Sequence, residues 1–403
     1  GGLGVVFKLS TNGNFTKLKT FTTVNDGAFP SSGLVQGTND GNFYGTTFLG
    51  SGPLYRGNVF KITPGGTETS LVEFDGTNGF YPTGWLVQGN DGNFYGTTGG
   101  GADGCGIFAG GCTGSLTNGS VFKVTPGGTL TTLVAFNEAN GKNPAAGLTL
   151  HPNGNFYGTT LNGGINGFGT VFQMTPGGTL TSLYSFSGSD GAFPYAGLTV
   201  GTNGNLYGST TNGGDNSLGT IFQITPTGTL TTLISFNGSN GSIPKAAPKQ
   251  GTDGNFYGTT STGGANGLGT VYVLTPNGAL TRLYSFKGEN FGDGKSPEAD
   301  LLQASDGNFY GTTRAGGNFQ GSGENGIIFK LDPRPFLASA VNGSDFILVW
   351  SDYAVGYTLE STTSLTPPIV WNTVTNEPST EFSGFLVVSN TISAGSKFYR
   401  LKK

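Results

Sequence analysis

Apolar residues in this chain come in short runs separated by glycine-rich turns, and the runs repeat. Gly169-Thr170-Val171-Phe172-Gln173-Met174-Thr175 is followed by Pro176-Gly177-Gly178 and then by Leu180-Thr181-Ser182-Leu183-Tyr184-Ser185-Phe186. A loop through Pro194 leads to Gly197-Leu198-Thr199-Val200, the turn Asn203-Gly204 and the run Asn205-Leu206-Tyr207-Gly208-Ser209-Thr210. Each run is too short for a helix and rich in β-branched and aromatic residues, so each reads as a strand. The Asp-Gly and Asn-Gly dipeptides between them tolerate positive φ and suit tight antiparallel turns. We name the strands A (197–200), B (205–210), C (169–175) and D (180–186) after their place in one unit.

The run Gly-Asn-Phe-Tyr-Gly-Thr-Thr, or a close variant, recurs around Tyr44, Tyr95, Tyr157, Tyr207, Tyr257 and Tyr310, at intervals of about 50 residues apart from one of 62. Four antiparallel strands per unit of this length is the signature of a propeller blade. Phe60, Phe122, Phe172 and Phe222 on C, and Phe74, Phe136, Phe186 and Phe236 on D, are then inter-blade core rather than a ligand platform. The expected fold is an all-β propeller of six or seven blades over 1–332, followed by a small sandwich over 333–403.

The strand inventory does not close. A, B and D occur six times each, whereas C occurs seven times, from Gly4–Leu9 to Gly326–Leu331. In one reading an upstream D–A–B segment completes seven blades. In the other Gly1 is the true start; either six blades close with a strand C to spare or an incomplete seventh blade remains, and Val5, Val6 and Phe7 form an exposed strand-exchange site that drives a homo-oligomer or filament.

The unit Gly169-Thr170-Val171-Phe172, Leu183-Tyr184-Ser185-Phe186, Pro194-Tyr195-Ala196-Gly197-Leu198, Tyr207-Gly208-Ser209-Thr210 and Gly213-Gly214 resembles the GloVer tandem-repeat family of secreted bacterial proteins. That resemblance covers residues 1–332 and implies an extracellular or cell-surface protein without established enzymatic activity. Beyond Asp332-Pro333-Arg334-Pro335 the repeat vanishes. The runs 346–350, 357–360, 370–374, 385–388 and 398–401 suggest an immunoglobulin-like sandwich. Its ending, Phe398-Tyr399-Arg400-Leu401, resembles C-terminal modules of secreted bacterial proteins.

Composition sharpens this picture. Glycine supplies 75 of 403 residues, which disfavours helices, and charged residues only 10%, so the surface is built from neutral hydrogen-bonding groups. Net charge is −4 with no basic run, which argues against nucleic acid, and no apolar stretch approaches a membrane span. Cys105 and Cys112, with no histidine or third cysteine near, are expected to form a disulfide closing a small loop. The single histidine, His151, sits in an A–B turn and lacks partners for a triad or a metal site. Asp40, Asp91, Asp253 and Asp306 recur because the turn recurs, and Asn153 and Asn203 replace them elsewhere, so hairpin chemistry explains them better than Ca²⁺. Asp293, Glu298 and Asp300 are the best approach to paired glycosidase carboxylates and are read as a solvated loop. Asn14, Asn118, Asn237 and Asn342 open N-glycosylation motifs of the kind an Asn/Ser/Thr-rich chain produces by chance. The expectation is a non-enzymatic extracellular scaffold or binding protein with no cofactor and no metal. A homopolymeric filament or surface-layer subunit is the alternative, then a polysaccharide-active enzyme; glycan or cell-surface partners fit the first.

Overall fold

The computed structural model describes residues 3–22, 27–30, 32–50, 56–100, 118–288, 292–317, 326–333, 337–342, 345–351, 358–374, 379–382, 385–391 and 397–402. Cys105 and Cys112 lie outside the described residues. No helix of the described chain is long and apolar enough to cross a membrane.

Five four-stranded antiparallel sheets follow one another in the order A–B–C–D. Blade 1 comprises Val35–Gln36, Phe43–Thr47, Asn58–Ile62 and Glu68–Glu73. Blade 2 comprises Val87–Gln88, Phe94–Thr98, Ser120–Val124 and Leu130–Ala135. Blade 3 comprises Thr149–Leu150, Phe156–Thr160, Thr170–Met174 and Leu180–Ser185. Blade 4 comprises Thr199–Val200, Leu206–Thr210, Thr220–Ile224 and Leu230–Ser235, and blade 5 Lys249–Gln250, Phe256–Thr260, Thr270–Leu274 and Leu280–Ser285. Among the described residues blade 6 shows A, B and C (Leu302–Gln303, Phe309–Thr312, Ile328–Leu331), and residues Val5–Leu9 and Phe15–Thr20 form a C–D hairpin. Val6 is buried against Phe60 of blade 1, which corrects its expected exposure beside Val5 and Phe7. The chain is a β-propeller. Strand A pairs over two residues, shorter than the apolar run suggests, because the preceding Gly-Leu belongs to the joint with the preceding blade.

The Tyr-Gly-Thr-Thr run has a physical meaning at each position. In blade 3 the Tyr157 hydroxyl accepts a bond from Asn153 in the A–B turn (2.9 Å). In blade 1 the Tyr44 hydroxyl instead donates to Asp40 (2.7 Å), which also takes two bonds from Asn42. The turn carboxylates are therefore consumed by the hairpin. Gly158 leaves room for Phe172 of strand C, whose ring edge would lie 2.5 Å from a Cβ there. Thr159 donates to the Ala196 carbonyl of blade 4 (2.8 Å), and Thr160 pairs with Thr170 of strand C (2.8 Å). One threonine thus joins neighbouring blades and the next joins strands B and C.

Blades stack through the phenylalanines. Phe21–Phe60, Phe74–Phe122, Phe136–Phe172, Phe186–Phe222 and Phe286–Phe329 meet edge to face at 5.2–5.5 Å. Such contacts contribute about 0.5–1.5 kcal/mol each beyond area burial. The Leu of each Leu-x-x-Phe run is the extra residue of a β-bulge between C and D, as at Leu183. Its carbonyl approaches the C–D turn glycine of the next blade: Leu18 to Gly66, Leu71 to Gly128, Leu133 to Gly178 and Leu183 to Gly228.

The residue before each blade-entry proline is held in the left-handed region. Phe29, Tyr81, Asn143, Phe193, Ile243 and Ser296 have φ between 54° and 57°. This costs on the order of 1–3 kcal/mol per site, and the neighbours fix it. The Phe193 N–H donates to the Phe168 carbonyl (2.9 Å), and its carbonyl accepts from Thr211 N–H (3.1 Å).

At the chain's C-terminus one sheet orders Ala338–Asn342, Asp345–Ser351, Phe385–Thr391 and Ser379–Phe382. A second orders Asn372–Thr373, Thr358–Thr362 and Phe398–Lys402. Leu348 and Val388 of the first share a core with Leu359 and Leu401 of the second. Arg400 explains much of the Phe-Tyr-Arg-Leu ending. Its guanidinium bonds Glu360 through Nε (2.8 Å) and Nη2 (2.6 Å) and lies 4.2 Å over the Trp371 ring. These contacts hold the Glu360 carboxyl below its usual range.

Candidate functional site

Strand A is the innermost strand, so residues at its entrance line the mouth of the propeller axis. The B–C loops and D–A loops leave from this same face. The position occupied by Gly33, Gly147 and Gly197 in Pro-x-x-Gly-Leu carries Trp85 in blade 2, Ala247 in blade 5 and Asp300 in blade 6. The half-buried Trp85 indole lies over the two glycines of blades 3 and 4: a Cβ on Gly147 would sit 2.8 Å from its Cγ, and one on Gly197 2.9 Å from its Cη2. The small residues are therefore the bed of one large aromatic ring. Aligning the entry prolines finds this substitution in the sequence; neither Trp85 nor its role was anticipated.

The residue after each entry proline builds a shelf across blades 4 to 6. Lys245 Nζ lies 5.9 Å from the centre of the Tyr195 ring and 2.9 Å from Glu298, and Arg314 reaches Glu298 at 3.7 Å. Tyr195 is 44% exposed. Two other members of the expected loop cluster are also engaged. Asp300 accepts the Ala247 N–H (3.0 Å), and burial pushes its carboxyl up to about 6. Asp293 takes the Tyr284 hydroxyl (2.9 Å) and the N–H groups of Lys287 and Gly294 (2.8 Å each). The solvated-loop reading is thus corrected for Asp300, which is buried, while Asp293 and Glu298 keep solvent-facing partners.

The joint between blades 4 and 5 also departs from the repeat. Tyr272 replaces the strand-C phenylalanine and Pro248 the leucine that packs beside it, so the hydroxyl fills the leucine's volume, 2.2 Å from where a Gly258 Cβ would be. The Tyr272 hydroxyl and Thr259 Oγ1 are buried without a hydrogen-bond partner. Burial first, and Asp300 second, raise the Tyr272 hydroxyl far above its ordinary range. Farther out on the same face, Glu138, Lys142, Asn143, Asn162 and Gly163 line a groove of about 660 Å³ between blades 2 and 3.

His151 lies on the opposite face. Its Nε2–H donates to the Gly204 carbonyl of blade 4 (3.0 Å), and Nδ1 accepts from Asn153 N–H (3.1 Å). Both ring nitrogens pin turns together. The exchange His151→Ala is expected to lower the stability of the propeller by about 1 kcal/mol. A thermal melt of the variant checks this. No group of three His, Cys, Asp or Glu side chains among the described residues is placed to hold a metal ion.

The profile of the Gloeobacter/Verrucomicrobia repeat matches residues 1–109, 108–252 and 244–346. The chain belongs to this family. Three family matches cover six Tyr-Gly-Thr-Thr-type runs, so one match spans about two blades of this Gloeobacter/Verrucomicrobia repeat protein. No curated protein is similar to it in sequence. Among solved structures it is similar to a gluconolactonase from Xanthomonas campestris, at 14% identity and a TM-score of 0.45 over 73% of this chain and 86% of that one. It is similar to a puromycin hydrolase at 14% identity and a TM-score of 0.49, over 81% of this chain and 51% of that one. A ulvan lyase matches at 12% identity and a TM-score of 0.41, over 81% and 91% of the two chains. The chemistry in those names is theirs.

Proposed function

We propose that this repeat protein is a non-enzymatic extracellular binding protein whose axial mouth holds a carbohydrate polymer. The observation that carries the reading is the shelf Tyr195–Lys245–Glu298–Arg314, which spans three consecutive blades around an exposed aromatic face. Sugar rings present C–H faces that stack on an aromatic ring and hydroxyls that bond to charged and amide groups at its rim. Tyr195 supplies the first, and Lys245, Glu298 and Arg314 supply the second. The mouth is rigid, because strained backbone and inter-blade hydrogen bonds fix each entry loop, and a preorganised site avoids an ordering cost on binding. The engagement of both His151 nitrogens supports the non-enzymatic half of the reading. An oxidising, extracellular setting, a Cys105–Cys112 disulfide and an immunoglobulin-like C-terminal module belong to the same proposal.

A glycan array with the wild-type protein and with Tyr195→Ala tests it. The variant is expected to bind about tenfold more weakly, which corresponds to about 1.4 kcal/mol for the lost stacking face. Unchanged binding would remove the shelf from the site. Release of soluble oligosaccharide from the bound polymer would replace binding by catalysis.

A further inference from the structure

Trp85 is set into the mouth unlike any residue at the matching place. Gly147, Gly197 and Ala247 carry little or no side chain there, and Asp300 turns inward to the Ala247 N–H. From blade 2 the indole reaches past Gly147 of blade 3 to Gly197 of blade 4. The Gly147 Cβ position is 2.8 Å from Cγ and Cδ1, and the Gly197 Cβ position is 2.9 Å from Cζ2 and Cη2. The two ends of the indole therefore rest on glycines of two different blades, and any side chain at either glycine would lift it. The bed itself is fixed. Thr97 donates to the Ala146 carbonyl (2.7 Å) and Thr159 to the Ala196 carbonyl (2.8 Å), one residue before each glycine.

A side chain that only filled space would bury its polar edge against an acceptor, as indole N–H groups in protein cores do. Trp85 Nε1–H has no acceptor among the described residues and is open to solvent. Tyr195 has the same character: its ring is 44% exposed and its hydroxyl has no partner among the described residues. Tyr195 stands two residues before Gly197 in the same entry loop. Two residues span at most about 7 Å, so the backbone bearing Tyr195 is a close neighbour of the glycine beneath the benzo end of Trp85.

We propose, building on the carbohydrate reading of the mouth, that Trp85 is its second sugar platform, so that the site takes at least two consecutive rings of a chain lying across the axis from blade 2 to blade 4. One sugar stacks on the indole and accepts a bond from Nε1–H at a ring hydroxyl. The next stacks on Tyr195, within reach of Lys245. The glycine bed and the entry loops are already fixed, so little ordering cost falls on binding. A single sugar covers one platform only. The ligand class is therefore a linear polysaccharide rather than a monosaccharide or other small molecule.

A size series tests this. Oligomers of one to six units from cellulose, chitin, mannan and alginate are titrated into the full chain, with binding read by calorimetry and by tryptophan emission. Affinity for the bound series is expected to rise by at least about tenfold from one unit to two. The two-unit oligomer is expected to shield a tryptophan from acrylamide quenching in the unmutated chain. Trp85→Leu keeps an apolar cover on both glycines and removes the aromatic face. It is expected to lose the length gain and the shielding while melting close to wild type, since Trp350 and Trp371 belong to the C-terminal segment. Gly197→Ala lifts the benzo end with the indole still present and is expected to reduce the length gain as well. A gain and shielding that survive Trp85→Leu, or an affinity independent of length that Tyr195→Ala still lowers, would overturn this inference and leave the reading of the mouth standing. Binding of none of the oligomers, or binding that Tyr195→Ala does not weaken, would remove both.

Discussion

Valine at position 158 is expected to destabilise the propeller by about 3 kcal/mol, the upper end of the usual range for overpacking a closed core. The Cβ alone would stand 2.5 Å from Phe172 Cζ and 3.0 Å from Leu148 Cδ2, and both side chains are fully buried. Phe172 cannot retreat, because Phe136 of the preceding blade meets its ring edge to face at 5.3 Å. The opposite error, Phe172→Ala, is expected to cost about 3–5 kcal/mol through lost burial and the cavity left behind. The pair should not add. Gly158→Ala with Phe172→Leu is expected to recover a large part of the sum of the two single losses, since the smaller side chain vacates the space the new methyl needs. Calorimetric melting of the four proteins measures this. An additive result would mean that Gly158 is there for its backbone and not for the ring.

Asp300→Asn is expected to stabilise the protein near neutral pH by about 2 kcal/mol, from a shift of roughly two pKa units at 1.36 kcal/mol each, discounted for the partly open edge. The sign follows from the direction of the shift. The Asp300 carboxyl is raised from 3.8 to about 6 in the folded protein, so between those values the native state holds a proton that the unfolded chain has lost. Stability from this group is complete below the unfolded value, declines as pH rises through the window up to about 6, and stays low above it. Asparagine keeps an oxygen for the Ala247 N–H and removes the charge. The difference in melting temperature between variant and wild type should therefore be small at pH 4 and large at pH 7. The taking of differences removes the opposite slope of Asp40, Asp75, Asp91 and Glu360, whose carboxyls are all lowered. A constant difference across the range would show that Asp300 titrates as an ordinary carboxylate.

The blades were legible in the sequence because their forces are local and repeat. Turn dipeptides, strand length and the Phe positions all recur at one spacing, and the sheets assemble as that spacing implies. Among the described residues the mismatch of seven strands C against six of each other type also stands. The mouth was less legible, because its chemistry lies in departures from the repeat. Trp85 and Asp300 stand where other blades have glycine, and their meaning depends on which residues of neighbouring blades they meet across the axis. Asp300 was visible as an acidic residue in an irregular unit, but its burial against Ala247 is a tertiary fact with no local trace. The left-handed backbone before each entry proline was hidden for a different reason: the residues there are Phe, Tyr, Asn, Phe, Ile and Ser, and of these only Asn favours positive φ.

That list has a consequence of its own. A conformation normally reserved for glycine is imposed on six unrelated side chains, including the β-branched Ile243 at φ 54°. Main-chain bonds to flanking loops hold each of these residues, as at Phe193 with Phe168 and Thr211. The side chains differ in what they touch: Asn143 donates to the Gly99 and Gly100 carbonyls, Tyr81 stacks on Phe48 and Phe193 meets Phe168, yet the backbone is the same in all six. The rim of the disc thus carries six indexed sites at fixed points and angles where one amino acid can be exchanged for another while the frame stays the same. Point substitution alone can therefore change the surface at these positions, with no insertion, deletion or refolding of a loop.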